Sequence, residues 1–456
     1  MKSIIRIPVV FIYILIVTIE FASYTRAYSD IVLPIAFLGI AYTLIHFLSD
    51  KNNRKVYKQL YFVSYAVYIS YAILCYLYMK ENNYEYLLVT DTITTYIPDT
   101  KDCLDLHSLS KVWDLLYNEG EYNKYQHSGL ILIYWTIIGE FSLLCGQDLY
   151  FNMQTSVIFL SSFVPVFVYK LLTQHGVKDA RKYAYFYTFC SVFAFYSTLI
   201  LRDAPIAMLY AMAFAYVESP NNLRKILVFG IAIPLVYLTR PEMGLFLFLV
   251  LALAYFPGNN LTTSKKAAGF LLFVVISLII IHFIQELNFW EEWDHNIEYS
   301  DSMIENNEYA TLNIFDVFPF GLSHLLKVIY IHLSPIPSWR NIKLFESSDA
   351  VHNIMQLPRT WAVLYNYIIG AFILCGMFVS NVSKYTRKEV MLFLVALLFL
   401  ALQVSSTEQR RLMICYPVLL LWAIISCKHM KRNTVKNVKI LGITFFIVMQ
   451  LIGLVL

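Results

Sequence analysis

Charged side chains that interrupt long apolar stretches are the residues of this sequence with the most specific chemistry. Arg202 and Asp203 divide a stretch that is otherwise apolar from Tyr183 to Val217. Two further interruptions of this kind are Arg240 with Glu242, and Glu408 with Arg410 and Arg411. Arginine binds phosphate well because its planar guanidinium stays charged and donates paired hydrogen bonds. Any one interruption is also explained by a hairpin turn that needs polar residues, but three on one face predict an anion-binding cluster.

Asp91 is the candidate proton acceptor in the first long polar segment. It follows the third apolar stretch, and a carboxylate placed there beside an arginine cluster could take a proton from an attacking hydroxyl. The alternative is an ordinary solvated acid, since this segment contains many acidic residues. Asp91, Asp203 and Glu408 could also supply the hard oxygen ligands that a divalent metal ion prefers, although nothing in the sequence requires a metal or another cofactor.

Other chemical motifs are few. His127 opens an apolar run, a position where a lone histidine is more often a cap or an interface residue than a catalyst. The sequence contains no glycine-rich phosphate loop and no nucleophile elbow. Of its seven cysteines, only Cys103 clearly lies in a predicted loop, so neither a disulfide framework nor a zinc motif is indicated.

The apolar stretches predict a polytopic membrane protein. Of the 456 residues, 59% are hydrophobic and only 14% are charged, whereas soluble domains carry about 25% charged residues. Runs long enough to cross about 30 Å of hydrocarbon as helices include 31–48, 60–79, 183–200, 267–284 and 389–404. Alternating ten-residue strands, the pattern of an outer-membrane barrel, are absent. The predicted fold class is therefore all-α, a transmembrane helical bundle of about 13 spans that forms one integral membrane domain over residues 1–456.

Loop charges predict the orientation of the bundle. Short basic loops are placed in the cytoplasm by the positive-inside rule, which accounts for the net charge of +4 without nucleic acid as a partner. Two long segments, 80–127 and 285–358, and the three arginine-bearing turns are then extracytoplasmic. Only the run 129–146 disturbs the alternation, and we interpret it as a re-entrant or surface-lying segment, with a miscounted span as the alternative.

Two shorter segments of the outer loops predict juxtamembrane helices. Between Asp105 and Tyr117, apolar residues recur at helical spacing, which is typical of an amphipathic helix on a membrane surface. They are Leu106, Leu109, Val112, Trp113 and Leu116. The second segment, 320–333, is apolar and bounded by prolines but short for a span, so an interfacial or half-inserted helix is expected.

Several of these features follow one another in a recognisable order. They are Asp91 with Tyr96, His127-Ser128-Gly129, Leu143-Leu144-Cys145-Gly146, Val168-Tyr169-Lys170, Arg202-Asp203-Ala204-Pro205 and Leu238-Thr239-Arg240-Pro241-Glu242. The series resembles the GT-C superfamily of polyprenyl-phosphate-dependent membrane glycosyltransferases over roughly residues 60–256. It departs from that family where Ser128-Gly129 replaces a lysine and prolines, and where Arg240 occupies a position at which lysine is common.

The resemblance implies a sugar donor linked to polyprenyl phosphate or diphosphate, in the inner membrane of a bacterium. It also implies an acceptor glycan, lipid or protein bound by the outer loops, and inversion at the anomeric carbon. Asp91 and Asp203 would be the catalytic residues, and the donor phosphate would be bound by Arg202, Arg240, Arg410 and Arg411. Supporting residues would be Tyr96, His127, Glu242 and Glu408.

Two other functions stay open at this point. Repeat-unit polymerases of O-antigen or capsule join oligosaccharides linked to lipid diphosphate on the same face, and they also carry arginine-rich outer turns such as Glu408–Arg411. A flippase or transporter of lipid-linked sugars is the third interpretation. Transporters typically show internal repeats and charges near the membrane midplane, and neither is detected in this sequence.

Overall fold

The computed structural model describes residues 6–49, 52–117, 128–146, 148–217, 219, 222–255, 317–340, 342, 349–379, 385–402 and 409–455. Within these ranges the chain is predominantly helical and no residue lies in a β-strand, which confirms the all-α prediction.

The α-helices follow one another with short connections over most of the described chain. In chain order they are α1 (Ile7–Thr25), α2 (Ser29–Leu48), α3 (Arg54–Glu81), α4 (Ile97–Asp105), α5 (Leu109–Tyr117), α6 (Leu130–Cys145), α7 (Leu149–Ser161), α8 (Val164–Gln174), α9 (Ala180–Cys190), α10 (Phe193–Tyr196), α11 (Asp203–Val217), α12 (Asn222–Thr239), α13 (Pro241–Tyr255), α14 (Phe320–Leu333), α15 (Leu357–Val379), α16 (Arg387–Leu402), α17 (Gln409–Leu412), α18 (Tyr416–His429) and α19 (Arg432–Val455). A π-helical turn, Thr92–Tyr96, precedes α4.

Seven helical segments within the described ranges are long and apolar enough to cross a membrane, judged by length and composition. They are Ile7–Thr25, Ser29–Leu48, Arg54–Glu81, Leu149–Gln174, Ile354–Met377, Gln409–His429 and Arg432–Leu454. The predicted spans 31–48 and 60–79 lie within two of these helices, whereas the predicted total of about 13 spans is not confirmed. The predicted span 267–284 lies outside the described residues.

Helix α6 is shorter than a full span. It has 16 residues, and at 1.5 Å per residue it extends roughly 24 Å, less than the ~30 Å of a hydrocarbon core. Glycines in left-handed conformations bound it on both sides, Gly129 with φ 56° and Gly146 with φ 123°. The length of α6 agrees with the interpretation of 129–146 as a segment that does not cross fully.

The predicted continuous span 183–200 is wrong. Helix α9 ends at Cys190, Ser191 adopts an extended conformation, and only the four-residue α10 follows before α11. Side chains from other helices donate hydrogen bonds to backbone carbonyls near this break. Gln154 Nε2 donates to the Thr198 carbonyl at 2.6 Å, and Tyr68 Oη donates to the Thr188 carbonyl at 3.2 Å. Buried carbonyl groups outside a helix need such donors, so tertiary contacts stabilise a break that apolar composition does not reveal.

The amphipathic segment before Tyr117 forms a helix, but with different bounds from those predicted. Helix α5 begins at Leu109, and Leu106 lies at the end of α4 instead. Val112 and Leu116 are buried against Cys103 and Leu132. On the other face of α5, Leu109 and Trp113 stay exposed. The second predicted juxtamembrane helix, 320–333, coincides with α14.

The chain forms two compact units. Unit 1 consists of Met1–Ala215, Leu238–Arg240 and Trp339–Ala362, and unit 2 consists of Tyr216–Tyr237, Pro241–Ser338 and Val363–Leu456. In unit 1, helices α1, α2 and α3 pack on one another, α2 and α3 also pack on α7, and α4 packs on α6. In unit 2, helix α16 packs against α13, α14 and α18.

Candidate functional site

Asp203 and Arg240 form an ion pair in the interior of unit 1. Arg240 Nη1 lies 3.3 Å from Asp203 Oδ1, and the two side chains are only 7% and 4% exposed. Asp203 is the first residue of α11, and Arg240 lies between the end of α12 and the proline that begins α13. Two of the charged interruptions singled out in the sequence therefore meet in space.

Arg202 joins the same two turns by a second contact. Its guanidinium Nη1 donates a hydrogen bond to the carbonyl oxygen of Thr239 at 3.3 Å. In contrast to Arg240, which is 6% exposed, Arg202 is only partly buried. Of the two arginines at these turns, Arg202 is thus the more exposed to an approaching phosphate group.

Asp91 lies beside this pair of turns. It immediately precedes the π-helical turn, whose first residue, Thr92, donates its hydroxyl hydrogen to the Ile200 carbonyl at 3.2 Å. Ile200 is two residues before Arg202, so the first polar segment is fastened next to the arginine-bearing turn. Asp91 itself is partly exposed.

Tyr96 does not face an open site. It is 4% exposed, and its ring packs edge-on against Trp135 with the ring centres 5.1 Å apart. This contact fixes the π-helical turn on α6. Tyr96 is therefore placed to hold Asp91 in position through packing.

Four residues that were not predicted as site residues lie around the Thr239–Arg240 turn or support its neighbours. Gly129 lies so close to this turn that a Cβ atom would be 2.6 Å from the Thr239 carbonyl oxygen. Ser128 donates its hydroxyl hydrogen to Asp99 Oδ2 at 2.6 Å, and Asp99 is 6% exposed. Tyr117 donates to the Leu238 carbonyl at 2.7 Å. The position of Gly129 directly before an apolar run could have indicated its role. Asp99 and Tyr117 could not be recognised in this way, because acidic and tyrosine residues are common in the same segment.

The remaining predicted site residues lie either outside the described residues or in unit 2. His127 and Glu408 lie outside the described residues. Arg410 and Arg411 are partly buried on the short helix α17 of unit 2, and Glu242, also partly buried, lies in the first turn of α13 in unit 2. Of the four predicted phosphate-binding arginines, unit 1 brings together Arg202 and Arg240.

The described part of the chain contains no group of three or more histidine, cysteine, aspartate or glutamate side chains arranged to hold a metal ion. The site in unit 1 instead combines two carboxylates with two guanidinium groups. Such a combination can bind an anion at the partly exposed Arg202 and accept a proton at the partly exposed Asp91.

The long apolar helices indicate the structural class of this protein. By length and composition its long apolar helices are compatible with a multi-pass helical membrane protein. Comparison of the chain with protein-family models, with curated proteins and with solved structures finds no match.

Proposed function

We propose that this protein is a membrane glycosyltransferase that transfers a sugar or glycan from a polyprenyl-(di)phosphate donor to an acceptor. Its place would be the extracytoplasmic face of a bacterial inner membrane, and the acceptor would be a glycan, a lipid or a protein. The observation that carries the proposal is the arrangement in unit 1. Hydrogen bonds and an ion pair tie the segment after Asp91 to the Arg202 turn, and that turn to Arg240.

The donor phosphate is assigned to Arg202. A partly exposed guanidinium can donate two parallel hydrogen bonds to phosphate oxygens while one of its nitrogens stays on the Thr239 carbonyl. Arg240 is enclosed and already bonded to Asp203, so we assign both of these residues to positioning. Their ion pair fixes the turn that carries the Thr239 carbonyl, and thereby the orientation of Arg202.

The transfer step uses Asp91 as a general base. The Asp91 carboxylate takes the proton of an acceptor hydroxyl while the hydroxyl oxygen forms a bond to the anomeric carbon of the sugar. The bond from that carbon to the phosphate oxygen breaks on the opposite face, and the polyprenyl phosphate leaves with the electron pair. Arg202 stabilises the negative charge that develops on the departing phosphate, which is the usual contribution of preorganised donors to such steps.

A repeat-unit polymerase is the second candidate, and one observation favours it. Arg410 and Arg411 lie on a helical turn, α17, that opens the candidate span Gln409–His429. A diphosphate carries more negative charge than a monophosphate, so a second arginine pair suits an oligosaccharide linked to lipid diphosphate.

The two candidates differ in the donor they accept, which a transfer assay separates. The full-length protein is reconstituted in phospholipid nanodiscs and supplied with either a single sugar on undecaprenyl phosphate or an oligosaccharide repeat unit on undecaprenyl diphosphate. We expect lipid phosphate release coupled to glycan transfer from one donor class. If both donors instead cross the membrane of proteoliposomes and no glycan is transferred, the protein is a transporter of lipid-linked sugars and not an enzyme.

A further inference from the structure

Two buried amide side chains of unit 2 are fastened to the end of helix α14. Asn366 Nδ2 donates to the His332 carbonyl at 2.8 Å, and Gln409 Nε2 donates to the Ile331 carbonyl at 3.1 Å and also to the Ser334 carbonyl. Asn366 is fully buried and Gln409 is 3% exposed. Because each nitrogen faces carbonyl acceptors, the oxygen and nitrogen positions of both amides are determined by their surroundings.

The opposite ends of these amides have no donor. Asn366 Oδ1, Gln409 Oε1 and His332 Nε2 are shielded from solvent, and none of the three has a hydrogen-bond partner within the described ranges. Buried polar atoms in folded proteins are nearly always hydrogen-bonded, so each exception calls for a missing partner. Here three exceptions belong to side chains that meet at one turn of backbone, residues 331–334.

The cluster carries no charge of its own at neutral pH. Burial lowers the pKa of His332 to about 4, so its imidazole is neutral at pH 7. The ring of Tyr416 packs edge-on against this imidazole at 5.2 Å between ring centres. A neutral partner that can donate to two amide oxygens and also bond to an imidazole nitrogen suits these three neutral side chains.

We propose that Asn366, Gln409 and His332 form a binding site for a neutral, polyhydroxylated ligand such as a glycosyl group. Hydroxyl groups donate to Asn366 Oδ1 and Gln409 Oε1, and a further hydroxyl bonds to His332 Nε2, because a hydroxyl both donates and accepts. The site lies wholly within unit 2. It shares no residue with the Asp91–Arg202 site and does not depend on the transfer reaction assigned above.

The test uses the full-length protein in phosphatidylcholine nanodiscs, which contain no sugar head group that could compete. Saturation-transfer difference NMR measures binding of the neutral methyl glycosides of glucose, galactose and N-acetylglucosamine, with glucose 1-phosphate as a charged comparison. The variants are Asn366→Leu and Gln409→Leu. Gln356→Leu is the matched control, since Gln356 is also buried with its Nε2 on a carbonyl and its Oε1 shielded, but it lies in unit 1.

We expect saturable binding of at least one neutral glycoside to the wild type and to Gln356→Leu. The affinity should fall at least tenfold in Asn366→Leu and Gln409→Leu. The proposal is overturned if the wild-type protein, which needs no substitution to be tested, binds none of the three glycosides saturably. It is also overturned if the two variants bind as the wild type does, or if a high-resolution map with glycoside present shows only ordered water at the three atoms.

Discussion

Asp203 and Arg240 are 37 residues apart in the sequence, yet their side chains form a buried ion pair at 3.3 Å. The pair joins the beginning of α11 to the turn after α12. Because neither group has much contact with solvent, each compensates the charge of the other. The ion pair thereby holds the two turns together. The orientation of Arg202 depends on this contact, because Arg202 bonds to the residue directly before Arg240.

Removal of one member of this pair should destabilise the protein strongly. Arg240→Ala takes the bonded cation away from a buried carboxylate, for which we expect a loss of about 3–5 kcal/mol in the free energy of unfolding. The double variant Asp203→Leu/Arg240→Met should lose less than the sum of the losses in Asp203→Leu and in Arg240→Met, as measured by denaturant unfolding of the purified protein in detergent. Lys182→Ala, which breaks an exposed pair with Asp179, is the control and should change nothing measurable. Strictly additive losses would show that the two charges are not coupled.

Gly129→Ala should be more harmful than the left-handed conformation alone explains. The added Cβ would meet the Thr239 carbonyl oxygen at 2.6 Å, in addition to backbone strain of about 1–3 kcal/mol. Gly176→Ala separates the steric effect from the backbone strain. Gly176 also has a positive φ (67°), but no atom lies within 4 Å of the position that a Cβ would occupy. Thermal unfolding should rank Gly129→Ala below Gly176→Ala in stability. Equal losses in the two variants would mean that the turn moves away without cost.

Asp91→Asn should abolish most of the transfer activity while donor binding is kept. The amide cannot accept the acceptor's proton, and general bases contribute roughly 10²–10⁴-fold to rates, so kcat should fall by about this range with an unchanged donor KM. Asp105→Asn, an exposed acid of the same polar segment at the end of α4, should be fully active. A fully active Asp91→Asn protein would remove Asp91 from the mechanism.

Arg202→Ala should act on donor binding more than on folding. Hydrogen bonds to charged groups contribute about 1.5–3 kcal/mol, which corresponds to roughly a 10- to 150-fold rise in the donor KM. Arg202→Lys should recover only part of the affinity, because an ammonium group lacks the planar pair of donors. Arg181→Ala, at a partly exposed arginine of a basic segment, serves as control. If donor titrations of Arg202→Ala and wild type coincide, the phosphate is bound elsewhere.

Acidification should weaken unit 2 through His332. Its pKa is lowered by burial from 6.5 to about 4, so the unfolded chain takes up this proton at a higher pH than the folded chain does. Protonation of His332 therefore does not reduce the stability of the folded protein above about pH 6.5. As the pH falls from 6.5 toward 4, the folded-to-unfolded ratio declines by up to about tenfold per pH unit. His332→Gln should flatten the decline of stability between pH 7 and 5. An unchanged pH dependence in His332→Gln would contradict a neutral, buried imidazole.

The sequence alone determined where many of the helices lie and where they end. Helix α2 and helix α14 follow directly from apolar run length and from proline boundaries, because helical hydrogen bonds are local and apolar composition is sufficient to indicate them. The charged interruptions at Arg202-Asp203 and at Arg240 were equally visible, and each lies at a boundary of a helix. Local patterns thus predicted the elements and the residue types of the candidate site.

Only the tertiary structure decided which of these residues meet. The pairing of Asp203 with Arg240, the contact of Gly129 with Thr239 and the break after Cys190 all join residues that are distant in sequence. Apolar composition is the same whether a membrane helix continues or is broken, and what differs is whether donors such as Gln154 and Tyr68 reach the freed carbonyls. Such contacts depend on how the helices pack against one another. The local pattern of hydropathy and charge along one sequence does not predict that packing.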